Sequence, residues 1–218
     1  MVKEFLWQQT LKKYKMKVKE FENKLDLNTH IGAWYIEPKI CDEILQFMNL
    51  NKHLFFKGVV GANRIINKKA KESLDITIDP TSYFYPWKNY IDSLHECIKK
   101  YTEKFCYSEN INRFGICEPY NIQHYNPGGG FKEWHCERDG TFDKSIKRCL
   151  VFMTYLNDAE NAGTEFFYQK LSLPCKKGLT VIWPSDWTHT HKGIINEKQS
   201  KTIVTGWLSH YYENNISK

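Results

Sequence analysis

Arg148-Cys149-Leu150-Val151-Phe152-Met153-Thr154-Tyr155-Leu156 is a β-rich run, and its apolar part, from Leu150, stops far short of the ~20 residues needed to cross a bilayer. Runs of the same character flank it, at residues 120–125, 131–137, 164–168, 179–183, 187–191 and 201–211. Glycine, proline and asparagine punctuate them, at Asn126-Pro127-Gly128-Gly129-Gly130, Asn161-Ala162-Gly163 and Pro184-Ser185. Such a series predicts an antiparallel barrel or sandwich.

Ahead of residue 112 the pattern is helical. Trp7, Leu11, Tyr14, Val18, Phe21 and Leu25 recur every three or four residues, the spacing of an amphipathic helix that packs on its own domain or meets a partner. Pro38 opens a second helix carrying Cys41, Ile44, Leu45 and Met48, and Tyr90, Leu94, Cys97, Ile98, Tyr101 and Phe105 mark a third. Residues 51–85 are polar and irregular and read as a long loop or flap. With no linker or repeat, the 218 residues read as a single domain, 1–110 giving helical support and a loop, 111–211 the barrel core.

Hydrophobic residues at 41% and charged residues at 26% exclude a disordered, collagen-like or mucin-like chain. Of the net charge of +6, residues 1–24 account for four, with seven lysines against three glutamates. No arginine stripe with interleaved aromatics follows, which argues against a nucleic-acid partner and leaves a weak cue for acidic ones. The start, Met1-Val2-Lys3-Glu4-Phe5, lacks the apolar stretch of a secretory leader, so a cytoplasmic location without a membrane is expected. Seven scattered cysteines with no C-x-x-C pair read as reduced, mostly buried thiols.

Chemistry enters at Trp134-His135-Cys136-Glu137. On an extended strand residues i and i+2 share a face, so His135 and Glu137 reach one cation together, whereas on a helix they diverge by roughly 200°. Thr188-His189-Thr190-His191 supplies two candidates for a third ligand. Two imidazoles and one carboxylate, with coordination positions left open, make the facial triad of non-haem Fe(II) oxygenases. The three letters H-x-E alone are a weak match. Asp139, at i+4 from His135, is wrongly offset for the chelate, and the three glycines at 128–130 lack the Lys-Ser/Thr pair of a phosphate cradle.

The signals around this segment resemble the 2-oxoglutarate/Fe(II)-dependent dioxygenases, and among them the prolyl 4-hydroxylase-like group, from about Tyr120 to Trp207. Tyr125 stands ten residues before His135; Arg148 precedes Tyr155-Leu156-Asn157; Gly163-Thr164-Glu165-Phe166 is similar to a family stretch in altered order. Pro174 and Gly178 lead into Val181-Ile182-Trp183-Pro184, and His191, Lys201 and Trp207 close the series at intervals of ten and six. The resemblance implies a mainly β fold with N-terminal helices, a double-stranded β-helix of jelly-roll or cupin type. It also implies His135, Glu137 and His191 as metal ligands and catalytic residues, His191 being preferred to His189 by its ten-residue interval to Lys201.

Tyr125, Tyr155 and Lys201, with Thr205 on the same strand face as Lys201, are the implied co-substrate residues. A diacid inside a dry barrel needs a charge-assisted partner, and a buried lysine provides one. Glu137 departs from the aspartate commonest in the family. The implied activity is hydroxylation of a prolyl residue in a peptide or protein, using Fe(II), 2-oxoglutarate and O2, with ascorbate as supporting reductant and release of succinate and carbon dioxide. The alternatives are the same chemistry on a small molecule, nucleobase or other side chain, or a non-catalytic metal-binding sensor. Lys71, Ser73, Tyr83, Tyr85 and Trp87 are candidates to line a substrate lid, and Trp183 and Trp187 to flank the barrel mouth.

Overall fold

The computed structural model describes residues 17–23, 25–61, 63–110 and 113–211. Their strands are β1 (Lys19–Glu20), β2 (Gly32–Tyr35), β3 (Phe56–Lys57), β4 (Lys71–Glu72), β5 (Leu74–Ile78), β6 (Phe114–Gly115), β7 (Tyr120–Tyr125), β8 (Gly130–Phe131), β9 (Arg148–Tyr155), β10 (Ala159–Phe166), β11 (Leu171–Cys175), β12 (Leu179–Pro184), β13 (His191–Gly193) and β14 (Lys201–His210). Helices α1 (Pro38–Leu50), α2 (Trp87–Lys104) and α3 (Asp143–Lys147) complete the framework. The large antiparallel sheet runs β1-β2-β12-β9-β14-β7-β5-β3, with β6 beside β14, and a smaller sheet runs β11-β10-β13. Side chains of both sheets meet in one core, giving the expected double-stranded β-helix.

All eight residues of β9 are buried because this strand is covered on both faces. Its Leu150 and Phe152 turn outward to the helices, while Val151, Met153 and Tyr155 turn into the barrel. The same alternation splits β12 between Ile182 and the pair Val181 and Trp183, and β14 between Val204 and Ile203. On the helical side α1 buries Ile40, Cys41, Ile44 and Met48, and α2 buries Tyr90, Ile91, Leu94, Cys97 and Tyr101. Pro38 sits in the first turn of α1, where its missing N–H costs nothing.

Several local expectations are corrected. The helix expected from Trp7 to Leu25 lies largely outside the described residues; within them Lys19–Glu20 pairs with β2 as a strand, and Phe21 and Leu25 are buried in the barrel core. Residues 51–85 are not one loop: β5 is an interior strand between β3 and β7. Its alternation is disguised because the inward positions are Asp75 and Thr77, which face a cavity, while Ile76 and Ile78 pack outward. Residues 131–137 pair only at Gly130–Phe131 and through an isolated bridge at His135, after which Glu137 N–H bonds Ser185 O. Residues 187–189 form a 3-10 turn, and strand pairing begins only at His191. The seven cysteines are free, with Cys41, Cys97, Cys149 and Cys175 buried. No described helix is long and apolar enough to cross a membrane.

Beside the cavity Lys71 and Asp75 form a buried ion pair at 2.7 Å, the two side chains being 5% and 3% exposed, and Ser73 donates to the other carboxylate oxygen at 2.7 Å. Removing one member strands the other charge, so Lys71→Met is expected to lower unfolding free energy by about 3–5 kcal/mol. Chemical denaturation of the two proteins checks this; equal midpoints would show the pair to be dispensable.

Candidate metal centre

His135 is carried to the mouth of the barrel by the mutual backbone bonds with His191, His135 N to His191 O at 3.0 Å and the reverse at 2.9 Å. Glu137 follows where the chain turns onto Ser185. The result is one cluster: Glu137 Oε1 lies 3.3 Å from His135 Nε2 and 3.7 Å from His191 Nε2. The three ligand atoms fall within 4.8 Å of one another. The other ring nitrogens are directed by backbone, His135 Nδ1 to Glu133 O at 3.0 Å and His191 Nδ1 to His189 O at 2.9 Å, which makes Nδ1 the protonated atom and leaves each Nε2 its lone pair.

Burial, then the neighbouring His135 ring, pushes His191 down to about 3, so its imidazole is neutral at physiological pH. Burial alone would raise the Glu137 carboxyl; the His135 ring beside it, with His191 and Arg148, outweighs that and holds the group well below the usual carboxylate range. Two imidazole nitrogens and one carboxylate oxygen fit a first-row divalent cation such as ferrous iron. Phe131 stacks on His135 with centroids 3.5 Å apart, and Trp183 and Phe166 contact the His191 ring.

These residues open on a cavity of about 500 Å³, which is also lined by Tyr125, Tyr155, Thr164, Lys201 and Thr205. The Lys201 amine points into the barrel, 5% exposed, and donates to Ala162 O at 2.7 Å and Ile194 O at 3.2 Å. No described carboxylate lies within ion-pair distance of it. Tyr155 OH and Thr164 Oγ1 share a hydrogen bond of 2.7 Å, Tyr125 OH donates to Gln123 Oε1, and Thr205 Oγ1 donates to Phe152 O at 3.1 Å. Tyr125, Tyr155, Lys201 and Thr205 therefore line one cavity with His135, Glu137 and His191.

His189 stands apart: its Nε2 meets Thr29 O at 2.8 Å, outside the cavity. Trp87 is buried in α2 and Tyr83 and Tyr85 face solvent, so of the lid candidates Lys71 alone lines the cavity, together with Phe56, Val59, Val60 and Arg64. Trp183 is buried against His191, whereas Trp187 is 65% exposed. Thr164, Glu118 and the indole N–H of Trp207 were not anticipated as parts of the site. For Thr164 the signal was its place beside the expected Tyr155, one residue after Gly163; for Glu118 there was none, because its role depends on Arg148 across the fold.

Residues 120–209 match the family described as the 2OG-Fe(II) oxygenase superfamily. Over those residues, and with the His/Glu/His cluster in place, the chain is similar to the class of Fe(II)- and 2-oxoglutarate-dependent oxygenases. The fold is prolyl 4-hydroxylase-like. A prolyl-4-hydroxylase of Pseudomonas putida superposes with a TM-score of 0.63 at 11% identity, covering 85% of this chain and 95% of the other. A Trichoplax adhaerens prolyl hydroxylase, solved with a hypoxia inducible factor oxygen degradation domain peptide, gives 0.62 at 16% identity over 84% and 86%. The 2OG complex of a viral collagen prolyl hydroxylase from Paramecium bursaria Chlorella virus-1 gives 0.59 at 17% identity over 86% and 100%. No curated protein matches the chain by sequence.

Proposed function

We propose that the protein hydroxylates a prolyl residue in a peptide or protein, with His135, Glu137 and His191 holding Fe(II). Ferrous iron and 2-oxoglutarate, when bound, supply dioxygen activation coupled to decarboxylation, with release of succinate and carbon dioxide. The observation that carries this reading is a buried amine, Lys201, which no described carboxylate pairs, in the same cavity as two imidazoles and a carboxylate. A cation without a carboxylate partner, inside a barrel, is poised for an anionic ligand.

Lys201 grips the distal carboxylate of the diacid, exchanging a carbonyl contact for a charge-assisted one. Tyr155 and Thr164 supply hydroxyls on the same wall, and Tyr125, whose ring centroid lies 5.4 Å from the Lys201 amine, closes it from the β7 side. Thr205 sits one pleat nearer the mouth than Ile203 on the inward face of β14. Met153, Trp183 and Phe131 exclude water around the imidazoles. The peptide-directed reading is supported by the structural neighbours, whose names specify collagen and a hypoxia inducible factor peptide as partners of those proteins.

The test is incubation with Fe(II), 2-oxoglutarate and a library of proline-containing peptides. Succinate formation together with a gain of one oxygen on proline, located by fragmentation, is the expected result. Succinate without peptide modification would move the substrate to another chemical class, and no succinate under any condition would end the enzymatic reading.

A further inference from the structure

We infer that Trp207 is a positioning residue, whose indole N–H, braced by the Arg148–Glu118 pair, fixes the outer oxygen of Glu137 so that Oε1 alone turns to the imidazoles. The inference rests on Glu137 serving as a metal ligand. Trp207 Nε1 donates to Glu137 Oε2 at 2.8 Å, on the side of the carboxylate away from His135 and His191. The indole is itself clamped: the Arg148 guanidinium carbon lies 3.5 Å over its ring. Glu118 takes Arg148 Nε at 2.9 Å and Nη2 at 2.8 Å, and Ser209 Oγ donates to Glu118 Oε1 at 3.3 Å.

The remaining nitrogen, Arg148 Nη1, donates to Glu137 O at 3.1 Å and stands 3.8 Å from Oε2. Both members of the pair are 8% exposed, so the fork is held in one orientation. Glutamate has one more rotatable bond than aspartate, and an untethered carboxylate would swing or offer both oxygens. Binding Oε2 at a distance set by β14 removes that freedom before a cation arrives. The longer side chain is then an asset, since it spans from the indole to the two imidazoles.

Co(II), whose visible absorption reports coordination geometry, is the probe. Trp207→Phe keeps the ring over Arg148 and deletes the donor; Co(II) dissociation should rise about 10–100-fold, with an altered spectrum. In a Glu137→Asp background, where the shortened carboxylate has left the indole, the same substitution should add little. Wild-type affinity and spectrum in Trp207→Phe, or an equal loss in both backgrounds, would overturn the inference. Should Trp207→Phe fail to fold, the wild-type indole N–H resonance decides. Slow solvent exchange and a shift on adding Zn(II) support the bond, and fast exchange with no shift refutes it. A wild-type protein that binds no Co(II) would instead defeat the metal-centre reading, and this inference with it.

Discussion

Lys201→Ala is expected to raise the 2-oxoglutarate requirement by roughly 10²-fold to several times 10³-fold, the equivalent of the about 3–5 kcal/mol lost when a buried charge pair is broken. Metal affinity should persist, because the amine contacts Ala162 O, Gly163 O and Ile194 O and none of the clustered ligand atoms. Burial, opposed by nearby Cys175, pushes the amine down to about 8. Without the diacid it therefore loses its proton as pH rises through that value, and a bound carboxylate favours the protonated form. KM for 2-oxoglutarate should be flat below pH 8 and climb by up to about tenfold per pH unit above it. Lys201→Arg, whose guanidinium stays charged, should flatten the climb. Unchanged co-substrate affinity in Lys201→Ala would remove the anion anchor.

His135→Ala and His191→Ala should each lower Fe(II) or Mn(II) affinity beyond the ~10–100-fold typical of outer-sphere changes and abolish turnover. The reason is geometric: each imidazole presents its Nε2 to the Glu137 oxygen, and Glu137 with one remaining ring gives only two of three donors. His189→Ala is the control. Its Nε2 serves the Thr29 carbonyl, so the variant should bind metal normally and lose about 1 kcal/mol of stability through that part-buried bond. Calorimetric titration with Mn(II) separates the three variants, and loss of metal in His189→Ala would reverse the assignment of the distal histidine.

The two helices at residues 38–50 and 87–104 were legible because each buries one stripe against a single sheet. Strand β9 was legible as an apolar run, and β7 and β12 nearly to their ends. Strand β5 was not, since its inward face carries Asp75 and Thr77 toward a polar cavity and so breaks the apolar count that marks a buried strand. The short pairing around His135 escaped for a related reason: a single bridge to His191 leaves no periodicity to detect.

The chain's linear order by itself carried the resemblance that points to this class of chemistry, because the H-x-E pair and the ten-residue interval from the later histidine to a lysine are short spacings that a strand preserves. Tertiary structure alone decided which neighbours tune those groups. Glu118 and Arg148, thirty residues apart, grip each other, and Trp207 reaches Glu137 across seventy. Those bonds depend on strands from β6's end to β14 closing into one barrel, a long-range fact that local pattern does not encode. His189 shows the same division: two residues from His191 in the chain, it is turned by a 3-10 segment onto Thr29 and away from the cavity.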